Sequence, residues 1–295
     1  MKNRTAYLFM APAMILLAVF TLYPMLVGTA LAFFDFNLLR HTPEGSLRPP
    51  RFIGLENLVR LASDPYFAVA LKNSLLYLLV VPAIQLASIL LAVLVNQPLR
   101  GRTFFRAALY VPVITSIVIV GIAWKWLLRS DGLVNAVLGD FGVAPVGWLT
   151  QRDLALFSVM FVTMWQGLGY YMMLYLAGLQ SIPPEFEEAA RIDGAGPWQV
   201  LTRITIPLLK PTVALCSIIS CISALKVFGE IYVMTEGGPE NGTLTMVYYI
   251  YDRAFEHYQM GYSSAVSLVL AVVVGIISYL NVSAFREGGL QSYHG

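Results

Sequence analysis

The chain has 295 residues; 58% are hydrophobic, only 12% are charged, and the formal net charge is +2. Soluble domains carry roughly 25% charged residues, so this composition describes a membrane protein with several spans and no sizeable soluble domain. The sequence has no basic block of the kind that binds nucleic acid.

A hydrocarbon core about 30 Å thick needs about 20 mainly apolar helical residues. Six stretches meet that length: Tyr7 to Phe34, Ser74 to Val95, Phe104 to Leu127, Leu154 to Leu179, Pro207 to Leu225 and Ser264 to Phe285. The first follows Lys2 and Arg4 and looks like a signal peptide, but its apolar run is too long, so it reads as an uncleaved anchor. Pro12 and Pro24 mark kink sites in the first span; the second holds Pro82 and Gln85, and the third Pro112. No span has an ionisable residue near its centre, where one would cost about 2.5–3.5 kcal/mol.

Between the first two spans, Leu55, Leu58, Val59 and Ala62 recur at helical spacing and predict a short helix on the membrane face. Trp124-Lys125-Trp126 reads as an interfacial anchor. Between the fourth and fifth spans lies the one long polar stretch with strong helix punctuation. Pro183 and Pro184 suit a first helical turn. Glu185, Glu187 and Glu188 suit the positive end of the helix dipole. Gly194 is a stop, and Gly196-Pro197 opens a second short helix through Trp198 and Leu201. After the fifth span, Gly237-Gly238-Pro239 forms a glycine-rich turn, and a tyrosine-rich run follows.

Lys and Arg near span ends number nine on the side of the N-terminus (Lys2, Arg4, Arg100, Arg102, Arg106, Arg191, Arg203, Lys210, Arg286). The other side has eight (Arg40, Arg48, Arg51, Arg60, Lys72, Arg129, Arg152, Arg253). The first set sits on much shorter segments, so its density predicts an N-in, C-in orientation. Cys216 and Cys221 share one apolar run and read as small buried hydrophobes. His41, His257 and His294 are scattered, and no metal site is expected. The chain contains no phosphate loop, no H-E-x-x-H and no serine nucleophile elbow, so no catalytic residue is assigned. Trp165, Gln166, Tyr170 and Tyr171 in the fourth span, with Ser217, Ser220 and Ser223 in the fifth, are the groups best placed to line a substrate path. Packing between helices and an aromatic belt also account for them. Lys226 and Glu230 read as snorkelling interfacial charges. Gly237, Gly238 and Pro239 read either as an external gate loop or as a plain turn.

The spacing Glu188-Ala189-Ala190, Asp193-Gly194-Ala195, then Ile204-Thr205-Ile206-Pro207 resembles the EAA motif of permease subunits of ABC importers, with Ile206 where leucine is usual. Arg102-Thr103-Phe104-Phe105-Arg106, Gly178 to Pro183, and Ile231-Tyr232-Val233-Met234-Thr235 with Gly237-Gly238-Pro239 are similar to the carbohydrate branch, the maltose, lactose and glycerol-phosphate permeases of the MalF, UgpA or LacF type. That family often shows Phe-Asp where this chain has Phe228-Gly229-Glu230.

The resemblance implies an all-α polytopic membrane protein with six transmembrane helices and the type I ABC importer permease (MetI-like) fold. Residues 1–72 would hold the first span and an external loop, residues 73–286 a permease core of five spans including a cytoplasmic coupling loop 181–207, and residues 287–295 a cytoplasmic tail. It implies half of a translocation path for a sugar or related polyol in a bacterial or archaeal cell (inner) membrane. Glu188, Ala189, Ala190, Asp193, Gly194 and Trp198 would couple the chain to an ATPase. The implied partners are a second homologous permease, two copies of an ABC ATPase and an extracytoplasmic solute-binding protein, all acting at a lipid bilayer, with no nucleic acid. No cofactor is expected in this chain; ATP and Mg belong to the ATPase. The alternatives are a type I importer of a non-sugar solute, an ion-coupled secondary transporter, or a scaffold for a membrane enzyme.

Overall fold

The computed structural model describes residues 2–40, 49–97 and 100–286. Arg48, His41, His294 and the tail 287–295 lie outside the described residues, as do the side chains of Lys2, Arg4 and Arg286. Among the described residues the regular secondary structure is helical apart from one two-residue antiparallel ladder, Phe34–Asp35 against Arg51–Phe52. Five helical stretches are long and apolar enough to cross a membrane, and a sixth is a bent pair.

The sequence predicts span positions well and misses their breaks, which are local backbone events. The second span runs as Pro65–Asn96 but is interrupted at Leu78 and Leu79, where i−3 bonds replace the helical ladder. Pro82 is the cause: it has no N–H for the Leu78 carbonyl, and its ring crowds that oxygen. The third span differs most from expectation. Instead of one helix from Phe104 to Leu127, it is Arg102–Ile114 and Ile117–Leu127, bent by 98°. Thr115 and Ser116 are extended, with ψ of 137° and 133°, one turn after Pro112 removes a backbone donor. The fourth span, Arg152–Gln180, contains no proline and is unbroken.

The chain divides into two compact units, Met1–Ala68 with Tyr249–Val272, and Val69–Tyr248 with Val273–Gly295. In the first, the predicted short helix forms over Glu56–Ala62. It turns Asn57 and Leu61 inward and leaves Leu55 and Val59 exposed. The Asn57 amide donates to the carbonyls of Ala32 at 2.9 Å and Phe34 at 3.1 Å. Asp64 accepts from the hydroxyls of Tyr249 and Tyr262 and from the amide of Tyr66 at 2.9 Å. Burial opposes ionisation of Asp64, but these donors outweigh it and hold the carboxyl below its ordinary value. The Arg60 guanidinium lies 4.4 Å above the Tyr262 ring.

The second unit has its core around the fourth span, where Val159, Val162, Met172 and Tyr175 are fully buried. A Cβ at Gly169 would lie 2.1 Å from the Leu109 carbonyl oxygen, so the third and fourth spans touch backbone to backbone there. Cys216 and Cys221 are free and buried, as expected of small hydrophobes. Polar bonds cross between the spans. The Gln85 amide donates to Ser220 Oγ at 2.7 Å and the Cys216 carbonyl at 3.1 Å, and Gln85 Oε1 accepts from the Tyr175 hydroxyl. Both polar atoms of the Gln85 side chain thereby find partners, as an apolar medium favours.

Candidate functional site: an exposed polar loop and an internal cavity

The polar loop folds as its punctuation predicts. Pro184–Ile192 is a helix with Glu185 and Glu187 in its first turn. Gly194 stops it at φ +83°, a conformation that a side chain disfavours. The Ala195 amide then reaches back to the Ala190 carbonyl at 2.9 Å, closing the helix end. A second helix, Pro197–Val200, starts where the Gly196 amide donates to Gln199 Oε1 at 2.9 Å. Glycine has no side chain to give the reciprocal bond, so this cap is one-sided.

Of the residues predicted to couple, Glu188, Ala189, Asp193 and Gly194 are exposed and Ala190 is half-buried. Trp198 is 71% exposed. Glu187, one residue from the predicted acid, points the other way, accepting from the buried Thr205 hydroxyl at 3.0 Å. It also meets Arg191 at 3.8 Å. Ile192, which sequence reasoning missed, is 86% exposed. The signal was present, since a β-branched apolar residue beside Asp193-Gly194 at a helix end has no core to enter. The result is a stiff, capped double turn presenting a carboxylate, two small alanines and two large apolar groups.

Elsewhere in the same unit lies a cavity of about 650 Å³. Its walls come from the second to fifth spans, and the breaks in the third and fifth spans open it, since Ile117 and Val227–Glu230 all line it. Of the predicted path residues it collects Gln166, Tyr170, Tyr171, Ser220 and Ser223. The Gln166 amide is tied to the Thr115 carbonyl at 3.1 Å, in the gap of the broken span. Trp165 and Ser217 are not in its lining. Trp165 packs edge-on against Trp124 at 5.4 Å, and Ser217 accepts from Asn281 at 2.8 Å. Tyr77, Thr163, Lys226 and Glu230 line the cavity and were not predicted to do so. Reading Glu230 as a snorkelling charge is therefore corrected. The helix from Lys210 ends at Leu225 and restarts at Gly229, which turns the half-buried carboxylate inward to Thr163 Oγ1 at 3.3 Å.

The glycine-rich loop is a packed turn. Gly237 has φ +80° and is buried, and a Cβ there would meet the Tyr248 ring at 2.9 Å. Thr243 is fully buried and donates to the Gly238 carbonyl at 2.7 Å. The Asn73 amide faces three carbonyls, those of Asn241, Gly242 and Leu244, at 3.0–3.2 Å. Ser74 Oγ accepts the Met246 amide at 2.8 Å.

These features are those of a polytopic membrane protein with broken spans around an open cavity. The profile of the family "Binding-protein-dependent transport system inner membrane component" matches residues 84–285. The chain belongs to that family, the inner-membrane permease subunits of ABC importers. It is 38% identical to the lactose transport system permease protein LacF of Rhizobium radiobacter over 288 residues, covering 95% of this chain and 94% of LacF. It is 33% identical to the arabinooligosaccharides transport system permease protein AraP of Bacillus subtilis (strain 168), covering 95% of this chain and 88% of AraP. A crystal structure of a bacterial ABC transporter that imports the acidic polysaccharide alginate superposes with a TM-score of 0.84 at 28% identity, covering 99% of this chain and 97% of that one.

Proposed function

We propose that this chain forms half of the translocation path of a type I ABC importer for a sugar or related polyol. A second homologous permease would supply the other half, and a solute-binding protein would deliver the substrate. Two copies of an ATPase, which hold the ATP and Mg, would dock on loop 181–207. The observation that carries the coupling reading is the stiff double turn, whose Glu188, Ile192 and Trp198 face outward. Aromatic and apolar groups with no cover are interface anchors, and an exposed carboxylate suits a bidentate arginine on the partner. With the N-terminus inside, as the Lys and Arg density predicts, this loop faces the cytoplasm where ATP is found. Gln166, Ser220, Ser223 and the tyrosines support the sugar reading, since sugars take hydroxyl and amide hydrogen bonds and pack on aromatic faces. Lactose and arabinooligosaccharide permeases among its relatives support it too.

The test is the complete complex in proteoliposomes. Glu188→Lys should leave assembly intact and lower substrate-stimulated ATP hydrolysis about tenfold or more, the scale of one lost charge-assisted pair. Normal stimulation would remove Glu188 from the coupling surface. Uptake by this chain alone on a proton or sodium gradient would favour the secondary-transporter reading. Uptake only of a non-sugar solute would favour the other importer class.

A further inference from the structure

Two charged side chains line the cavity, Lys226 and Glu230. Lys226 is exposed, at the end of the helix Lys210–Leu225. Glu230 is half-buried, and among the described residues no ion pair joins it to Lys226 or to any other base. A carboxylate partly out of water without a counter-ion is costly unless hydrogen bonds replace its hydration. The protein supplies few. Besides its own amide, the donor is Thr163 Oγ1 at 3.3 Å. That hydroxyl has one proton, and the Val159 carbonyl competes for it at 3.2 Å. Tyr77 OH is a further neighbour, 2.6 Å from Thr163 Oγ1, and either hydroxyl can donate to the other. Glu230 therefore receives at most a shared, long bond from a side chain, whereas an ionised carboxylate has about four acceptor sites. Most of its acceptor capacity opens on the cavity. An ionisable group within a span marks a ligand path.

We infer that Glu230 is a specificity-determining residue of the cavity, whose carboxylate accepts hydrogen bonds from two adjacent hydroxyls of a neutral sugar and repels acidic sugars. This rests on the sugar reading proposed above. Two carboxylate oxygens match two neighbouring O–H donors just as they match the two N–H donors of an arginine fork. Tyr170 lines the same cavity and supplies an aromatic ring, and the Gln166 amide and Ser223 hydroxyl supply the neutral polar contacts. The negative field of the half-buried Glu230 is screened less than the positive field of the exposed Lys226, so the cavity discriminates against anions. Thr163 and Tyr77 act as positioning residues, since they fix the carboxylate without needing to touch the sugar.

The experiment uses the complete complex with its binding protein in ATP-loaded vesicles. The probes are neutral oligosaccharides (lactose, maltose, raffinose), with lactobionate and maltobionate as the acidic counterparts of the two disaccharides. Wild type should carry at least one neutral probe and reject the acids. Glu230→Gln should lower neutral-sugar uptake about tenfold, chiefly through a raised half-saturation concentration, and raise the acid-to-neutral uptake ratio about tenfold. Thr163→Val should lower neutral uptake less and leave the ratio unchanged, because the charge remains. Wild-type transport with an unchanged Glu230→Gln ratio and rate overturns this inference alone. Wild-type transport of none of the neutral probes overturns the sugar reading and this inference together. Should Glu230→Gln not assemble, Glu230→Asp decides. It should keep the rejection of the acids and lose neutral uptake through its shorter reach, and wild-type uptake by Glu230→Asp overturns the inference.

Discussion

Residues 235–246, after the fifth span, and residues 181–207, before it, are both loops rich in glycine and proline, and they are anchored in different ways. The first hangs from buried side chains. Asn73 and Ser74 reach it from the second span, and Thr235 and Thr243 bond to each other at 2.7 Å within it. The second holds its own shape through caps at Gly194 and Gly196. Within it, the Glu187 carboxylate accepts from the Thr205 hydroxyl. Its most exposed large apolar side chains, Ile192 and Trp198, face outward. A loop anchored from within keeps a fixed shape. A loop stiffened by its own caps keeps one face free for a partner and still transmits a push, because a helix moves as a body.

Substitution separates the two modes of anchoring. The largest expected effect is at Gly242, where a Cβ would lie 2.7 Å from the Arg152 carbonyl and 2.9 Å from that of Pro239. Backbone cannot swing aside as a side chain can, so Gly242→Val should destabilise by about 3 kcal/mol or more. The readout is a lowered melting temperature and yield of the purified complex. An unchanged melting temperature would show that the loop yields easily and would dissolve the contrast.

Next is Asn73→Ala, which removes the amide that faces three carbonyls. Buried acceptors left without a donor cost roughly 1–3 kcal/mol. Asn73→Asp keeps the shape and removes the donor, so it should be at least as harmful. An aspartate variant as stable as wild type would show that water replaces the amide and that the loop is not anchored from within.

The same contrast explains what could be read from the sequence. The polar loop was legible in outline because its shape is local: Pro184 starts a helix and Gly194 ends it, whatever the rest of the chain does. Span positions were legible because hydropathy depends on composition. The 98° bend was not, because Pro112 announces a weak point and the turn is made by Thr115 and Ser116, which could equally have been helical. The cavity was half legible. Gln166, Tyr170, Tyr171, Ser220 and Ser223 stand out as polar groups in apolar helices. Glu230 did not, because its inward aim depends on a break at Lys226–Phe228 that no proline marks. Trp165 and Ser217 were expected in the path and instead pack against Trp124 and Asn281, since which face of a helix meets the cavity is settled by neighbouring spans.

A smaller effect is expected at Gly194. Nothing lies within 4 Å of its added Cβ, so strain at φ +83° is the whole cost. Gly194→Ala should cost about 1–2 kcal/mol locally, fraying the end of Pro184–Ile192. The melting temperature of the complex should barely move while substrate-stimulated ATP hydrolysis falls. A large fall in melting temperature without loss of stimulation would make this loop an internal support like the other.

The smallest effect belongs to Asp64, which shows in the other unit what a single carboxylate contributes when tyrosine hydroxyls and backbone amides donate to it. Burial raises its pKa, the hydrogen bonds lower it further, and the net position is below the ordinary 3.8. The folded chain therefore holds this proton less readily than the unfolded chain does. Its contribution is complete above 3.8 and is lost as pH falls through the lower folded value. The Asp64→Asn variant has a neutral amide in its place and no such titration. Below about pH 4 the melting temperature of wild type should fall more steeply with pH than that of Asp64→Asn, while above about pH 5 wild type should be the more stable by a constant margin. Parallel curves across that range would mean that the tyrosine hydroxyls donate equally well to a neutral amide. Asp64 would then belong with the exposed, locally capped elements and not with those anchored from within.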